Sequence, residues 1–310
     1  MEDSQLKILY GRFPLLESVD VRSLEYVGFQ DLRAPLLTEL NISSAKTLEG
    51  SMNCPLLEID ISPIEDICCQ FNESMPITQV EDVVLPITKR LYYNDSDGTG
   101  ILKNCKTLDA PMLEEICDRF GKPANVTSVN LPRLKTLNAA LFNHCSSLKE
   151  LNLPEYAGGF SCMSCLAGCT ALETLYLPKA TKNFTSYNLP ALKKLVLNKE
   201  RDIPFESYNA LVRLPMLEYL EGGFSTLDAR CLQESVNLKE LRFWRSTPPS
   251  LSPWSESYAD KIGSEVPEGV EKVIHVPVDA TGYEESEFVK ILMGNGFVLV
   301  KDLEADDESE

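Results

Sequence analysis

The sequence predicts a solenoid, a coil of short parallel strands stacked one on the next. Three observations lead there. An apolar unit, L-x-x-L-x-L, recurs along most of the chain. Its starts fall about 19 to 25 residues apart. The composition is globular, with 44% hydrophobic and 25% charged residues, which excludes wholesale disorder.

The units can be read off in order. The first are Leu16–Val19–Val21, Leu37–Leu40–Ile42, Leu56–Ile59–Ile61 and Val80–Val83–Leu85. Val126–Val129–Leu131, Leu148–Leu151–Leu153, Leu172–Leu175–Leu177, Leu192–Leu195–Leu197 and Leu238–Leu241–Phe243 continue the series. Weaker copies lie around Cys105 and at Leu217–Leu220. A unit of this length is one short strand plus a return segment, and alone it cannot bury its apolar face. Stacking lets each strand pair with its neighbour while the leucines fill one interior. The period is that of leucine-rich repeats. The expected fold is therefore an α/β solenoid: a right-handed leucine-rich-repeat coil of about eleven repeats, with a parallel sheet on its concave face and irregular or short helical return segments. The expected organisation is a solenoid over 1–245, a capping segment over 246–301 and an acidic tail over 302–310.

The fullest unit, "LPRLKTLNAALFNHCSSLKELNLP" (Leu131 to Pro154), resembles the BspA-type leucine-rich repeat of bacterial surface proteins. The likeness covers roughly Leu16 to Phe243. Pro14, Pro35, Pro190 and Pro215 depart from it where the repeat has cysteine, and some return segments lack its phenylalanine. The stretch "KVIHVPVDATGYEESEFVKILMGNGFVLV" is similar to the closing segment of such proteins, in which a strand ending in "VP" leads into a short capping helix. The resemblance implies protein recognition without catalysis, in adhesion or host-cell contact, at the cell surface.

Charge narrows the partners. With 29 basic and 47 acidic residues the chain carries a net charge of -18, which repels nucleic acid and anionic membranes and favours a partner with a basic surface. No stretch approaches the ~18 apolar residues of a membrane span, so membrane insertion is not expected. The opening "MEDSQLKILYGRFP" carries no basic segment followed by an apolar run, so no signal peptide is expected. Repeat-like sequence begins almost at once, and an uncapped first coil exposes apolar edge. That raises a second function, a structural component of a virion or multi-subunit assembly that docks, or forms an oligomer, through its N-terminal coil.

Ten cysteines invite a third function, metal or redox chemistry. Cys54, Cys105, Cys145 and Cys169 sit at or near one repeat position just before the first strand leucine, where a small apolar side chain suits a crowded turn. "CMSCLAGC" is the exception: Cys162 and Cys165 have metal-ligand spacing, with Cys169 close by. Structural zinc takes four ligands and no fourth lies near in sequence, so no cofactor is expected. His144 beside Cys145 is poorly placed for proton transfer, because adjacent residues on extended backbone point to opposite sides. "YYNDSDGTG" (Tyr92 to Gly100) fails as an EF-hand: with Gly98 at the sixth position, Tyr93 falls first and Asn104 twelfth.

Binding is expected on the strand face, at positions between the ladder leucines. The N-terminal half of that face is acidic, with Asp20, Glu39, Glu58, Asp60 and Asp82. The C-terminal half brings Tyr176, Lys194, Val196, Tyr219, Arg242 and Trp244. Exposed aromatics beside arginine compose protein-binding hot spots, and acidic residues select a basic partner. The competing account is that these aromatics pack against one another across neighbouring strands.

Overall fold

The computed structural model describes residues 8–20, 25–34, 36–37, 39–53, 61–71, 79–92, 102, 104–117, 125–137, 142, 145–156, 166, 168–177, 189–197, 203–204, 214–222, 224–226, 235–244, 266, 268–278 and 287–303. The chain is a parallel β-solenoid with little helix. Its residues group into two units, Met1–Glu155 with Ser164–Cys169, and Tyr156–Met163 with Thr170–Glu310.

The strands of the first unit run β1 (Ile8–Arg12), β2 (Ser18–Asp20), β3 (Tyr26–Arg33), β4 (Glu39–Asn41), β5 (Thr47–Asn53), β6 (Asp66–Phe71), β7 (Asp82–Val84), β8 (Arg90–Tyr92), β9 (Thr107–Asp109), β10 (Glu115–Cys117), β11 (Ser128–Asn130), β12 (Thr136–Leu137) and β13 (Glu150–Asn152). They fall in two rows. The L-x-x-L-x-L strands form the first, with β2 paired to β4 and β7–β9–β11 in one sheet. The return segments, expected to be irregular or helical, carry a second row instead. It is a parallel sheet in the order β1–β3–β5–β6–β8–β10–β12.

A three-residue rhythm makes that second row. Ile42–Ala45–Leu48, Ile61–Ile64–Ile67, Leu85–Thr88–Leu91 and Ala110–Leu113–Ile116 are all buried. The first two members of each set define a tight corner, closed where Ala45 N–H donates to Ile42 C=O (2.8 Å), and likewise from Ile64 to Ile61 and Leu113 to Ala110. The third member starts the next strand facing inward. Thr88 holds its place among apolar corners because its hydroxyl donates to the Ile64 carbonyl of the preceding coil at 2.7 Å, so the buried oxygen is satisfied.

Outside that corner runs a column of alternating charge: Glu25, Lys46, Glu65, Lys89, Glu114, Lys135. Lys46 meets Glu25 at 2.9 Å, Lys89 meets Glu65 at 2.7 Å, and Lys135 meets Glu114 at 2.9 Å. The hydrogen bond and charge of Lys135 hold the Glu114 carboxyl below its ordinary range. Like charges stacked coil on coil repel one another, and alternation turns each contact attractive.

The second unit contains β14 (Thr174–Leu177), β15 (Lys194–Leu197), β16 (Ile203–Pro204), β17 (Tyr219–Gly222), β18 (Phe224–Thr226), β19 (Glu240–Trp244), β20 (Glu271–Pro277), the helix α1 (Glu287–Gly294) and β21 (Val298–Leu303). Strands β14, β15, β17, β19, β20 and β21 lie side by side in that order, all parallel, and β16 pairs with β18. Leu175, Leu195, Leu220 and Leu241 stand in one register and are all fully buried. Cutting one of them back to alanine would cost about 2–5 kcal/mol.

The next position of that row is Lys272, and here the coil ends. Its stem extends the apolar row, while Nζ reaches out to donate to the Asn295 carbonyl at 3.2 Å and lies 5.7 Å from the Phe297 ring centre. Burial lowers the Lys272 pKa. The ammonium sits at the C-terminal end of α1, where the helix dipole favours a cation. The helix stops there because Gly296 takes a positive φ of 89°. Phe297 N–H then returns to Leu292 C=O and Gly296 N–H to Met293 C=O, the Schellman arrangement. Val289, Leu292 and Phe297 are buried, so strand, helix and strand close the last coil.

Candidate recognition faces

On the second unit, parallel register sets two columns of outward side chains. One runs Thr174, Lys194, Tyr219, Glu240, Glu271, and the other Tyr176, Val196, Glu221, Arg242, Val273. Tyr219 stands at the centre. Lys194 Nζ lies 4.8 Å from its ring centre and Arg242 Cζ 5.6 Å, one cation from each neighbouring strand. Its hydroxyl donates to Glu221, a carboxylate only 5% exposed. Burial first, then the Glu221 hydrogen bond and charge, push the Tyr219 pKa well above the ordinary tyrosine value. Arg242 donates to Glu240, and its Nη1 lies 3.4 Å from Nε2 of His275, which is 3% exposed. A guanidinium only donates, so His275 Nε2 is the acceptor.

Sequence reasoning placed Tyr176, Lys194, Val196, Tyr219, Arg242 and Trp244 on this face. The structure brings Lys194, Tyr219 and Arg242 into contact. Tyr176 is half-buried and Lys194 exposed. Val196, expected to be exposed, is 1% exposed and offers no surface. Trp244 ends β19, in register with His275, and its side chain lies outside the described residues. Glu221, Glu240 and His275 are the additional members. The first two follow from strand alternation, whereas His275 comes from a strand beyond the repeats and has no repeat signal.

The acidic half of the prediction falls on the first unit. Asp82 is exposed and accepts from the Thr107 hydroxyl of the next coil at 2.5 Å. Asp20 ends β2 and Glu39 begins β4, with the Glu39 side chain outside the described residues. Glu58 and Asp60 also lie outside them. Further along, Asn130 Nδ2 donates to Asp109 Oδ1 at 2.7 Å.

Of the cysteines whose side chains are described, Cys105, Cys145 and Cys169 face inward and Cys68 is exposed. Cys145 and Cys169 are fully buried at the first corner, and the Cys169 thiol donates to the Phe142 carbonyl of the coil before it at 2.9 Å. Cys105 is buried three positions further along its repeat, in a leucine's place, and Leu102 takes the corner. Burial raises the Cys105 pKa to about 11 and pushes Cys145 higher still. Thiols held this firmly as thiols are poor nucleophiles and poor metal ligands. Cys162 and Cys165, His144, and the loop from Tyr93 to Gly100 lie outside the described residues.

No protein-family model matches the chain, and no curated protein matches it.

Proposed function

We propose that the chain is a leucine-rich-repeat solenoid of BspA type. We further propose that it works as a non-catalytic recognition scaffold, binding another protein through the outward faces of its strands in adhesion or host-cell contact. The observation that carries this reading is the Tyr219 cluster. Lys194, Tyr219, Glu221, Glu240, Arg242 and His275 come from four parallel strands and are ordered by contacts among themselves. A contact patch already fixed in the free protein loses little side-chain freedom when a partner arrives. The cations flank the tyrosine and Lys194 is exposed, so the partner surface at this patch is anionic. The acidic first unit suits a basic surface.

The test uses the full chain as immobilised bait, with captured proteins identified by mass spectrometry. A partner held by the native chain and by Lys239→Glu, which lies in a different column, but lost on Lys194→Glu, supports the reading. Capture unaffected by Lys194→Glu removes the patch from recognition.

A further inference from the structure

Two grooves cross the described strands of the first unit, and they differ in one respect. The larger, about 520 Å³, runs along the second row of strands, and its charged lining is already neutralised. Lys89 pairs there with Glu65, Arg90 grips Asp66 through two bonds of 2.7 and 2.6 Å, and Lys135 pairs with Glu114. A ligand would have to break those pairs to enter. The smaller groove, about 380 Å³, lies between β11 and β13 and is lined by Ser128, Asn130, Lys149, Glu150 and Asn152, with Pro132 and Pro154 among its walls.

This second groove marks an interruption. Strands β7, β9 and β11 form one hydrogen-bonded sheet, and β13 lies beside β11 without joining it. Val129, the inward residue of β11, is only partly buried, while Val83, Leu108 and Leu151 at the same position are fully buried. The side chains follow suit. In the two preceding steps the same columns are zipped: Lys106 to Glu81 and Thr107 to Asp82 between β7 and β9, and Asn130 to Asp109 between β9 and β11. Among the described residues, the side chains of Ser128, Lys149, Glu150 and Asn152 have no hydrogen-bonded or ion-paired partner. Asn130 is oriented as well. A carboxylate accepts and cannot donate, so the Asn130 amide must turn Nδ2 toward Asp109, which leaves Oδ1 as its acceptor.

We propose that the groove between β11 and β13 binds an extended peptide segment of a partner, with a lysine or arginine of that segment against Glu150. The Asn130 carbonyl and the Asn152 amide, one coil apart, supply an acceptor and a donor for the N–H and C=O groups of a peptide backbone. Backbone pairing supplies affinity, and the acid supplies selectivity. The volume falls in the range of small binding clefts. A sugar chain fits less well, because a pyranose ring needs a flat apolar platform and the only apolar lining is Val129 and two prolines. The site is separate from the Tyr219 cluster and stands or falls without it.

The probe is an array of randomised, end-blocked decapeptides, read with the full chain beside a panel of neutral oligosaccharides. The native chain and Tyr219→Phe should bind the same lysine- or arginine-containing peptides. Asn130→Ala with Glu150→Ala should weaken them by roughly tenfold or more. Asn152→Lys, at an exposed and unpaired position, places a cation in the groove and should do the same with the melting temperature unchanged. Binding of basic peptides that survives both variants, no peptide binding at all, or groove-dependent binding of an oligosaccharide instead would each overturn the proposal.

Discussion

Replacing Tyr219 by phenylalanine removes one oxygen and leaves the ring between Lys194 and Arg242. The loss falls on Glu221. Its carboxylate is 5% exposed and accepts the tyrosine hydroxyl, and without that donor a buried charge is left short of a partner. Such a deficit costs about 1–3 kcal/mol, and more for a charged group with nothing else. Glu221 retains a further interaction, which places the expected cost at the lower end, about 1–2 kcal/mol. For a body of this size that lowers the melting temperature by roughly 2–8 °C. Calorimetry at pH 7 reads it directly. An alkaline arm checks the cause. The folded-state pKa of Tyr219 is raised, so its contribution is fully present below the unfolded value of about 10 and is lost as pH rises beyond it. The native chain should therefore lose stability above about pH 10 more steeply than Tyr219→Phe. A phenylalanine variant that melts with the native chain at both pH values would refute the claim that hydroxyl and carboxylate stabilise each other.

Two other expectations concern the cap and the thiols. Gly296→Ala should destabilise by about 1–2 kcal/mol, because alanine resists a positive φ, whereas Gly294→Ala, inside α1, should stabilise by about 0.5–1 kcal/mol. An added Cβ meets nothing within 4 Å at either position, so urea unfolding of the pair isolates backbone conformation, and equal effects would contradict the Schellman assignment. Alkylation at pH 8 mapped by mass spectrometry should label Cys105, Cys145 and Cys169 only as fast as the chain unfolds, and the exposed Cys68 sooner. Rapid labelling of Cys169 in the native state would mean that its bond to the Phe142 carbonyl is not kept.

The strand positions were legible because they follow from one rule. Leucines at the first, fourth and sixth places force a strand, and Glu150–Asn152, Thr174–Leu177 and Lys194–Leu197 fall where that rule puts them. The second row was harder to see. Its signal, an apolar residue at every third position, is broken by Thr88 and by the small Ala45, and its shortest member, Thr136–Leu137, is too brief for any alternating pattern. Alternation also tells which side of a sheet a residue faces but not what covers that side. Val196 shows the difference: it shares a column with the half-buried Tyr176 and is itself buried. The Cys105 register was misread for a related reason. Cysteine and leucine both fill a buried corner, and only the Leu102–Cys105 turn shows which of them does.

Outward residues in this solenoid do two kinds of work, and the two compete. A column of opposite charges such as Glu65, Lys89, Glu114 and Lys135 makes stacking attractive, and in doing so it uses up the groups that a ligand would need. The Tyr219 cluster is an intermediate case, since its arginine and its hydroxyl are already engaged and only Lys194 projects into solvent. Between β11 and β13 the competition is relaxed. The strands there are not joined in one sheet, the inward valine is partly uncovered, and four polar side chains have no partner among the described residues. A native chain that leaves those positions unpaired forgoes stability that the neighbouring coils collect. If the gap were merely a weak joint, introducing a charge pair across it, Ser128→Lys facing Glu150, should strengthen the fold and change nothing else. If the gap is a binding site, the same substitution should raise the melting temperature and abolish peptide binding together.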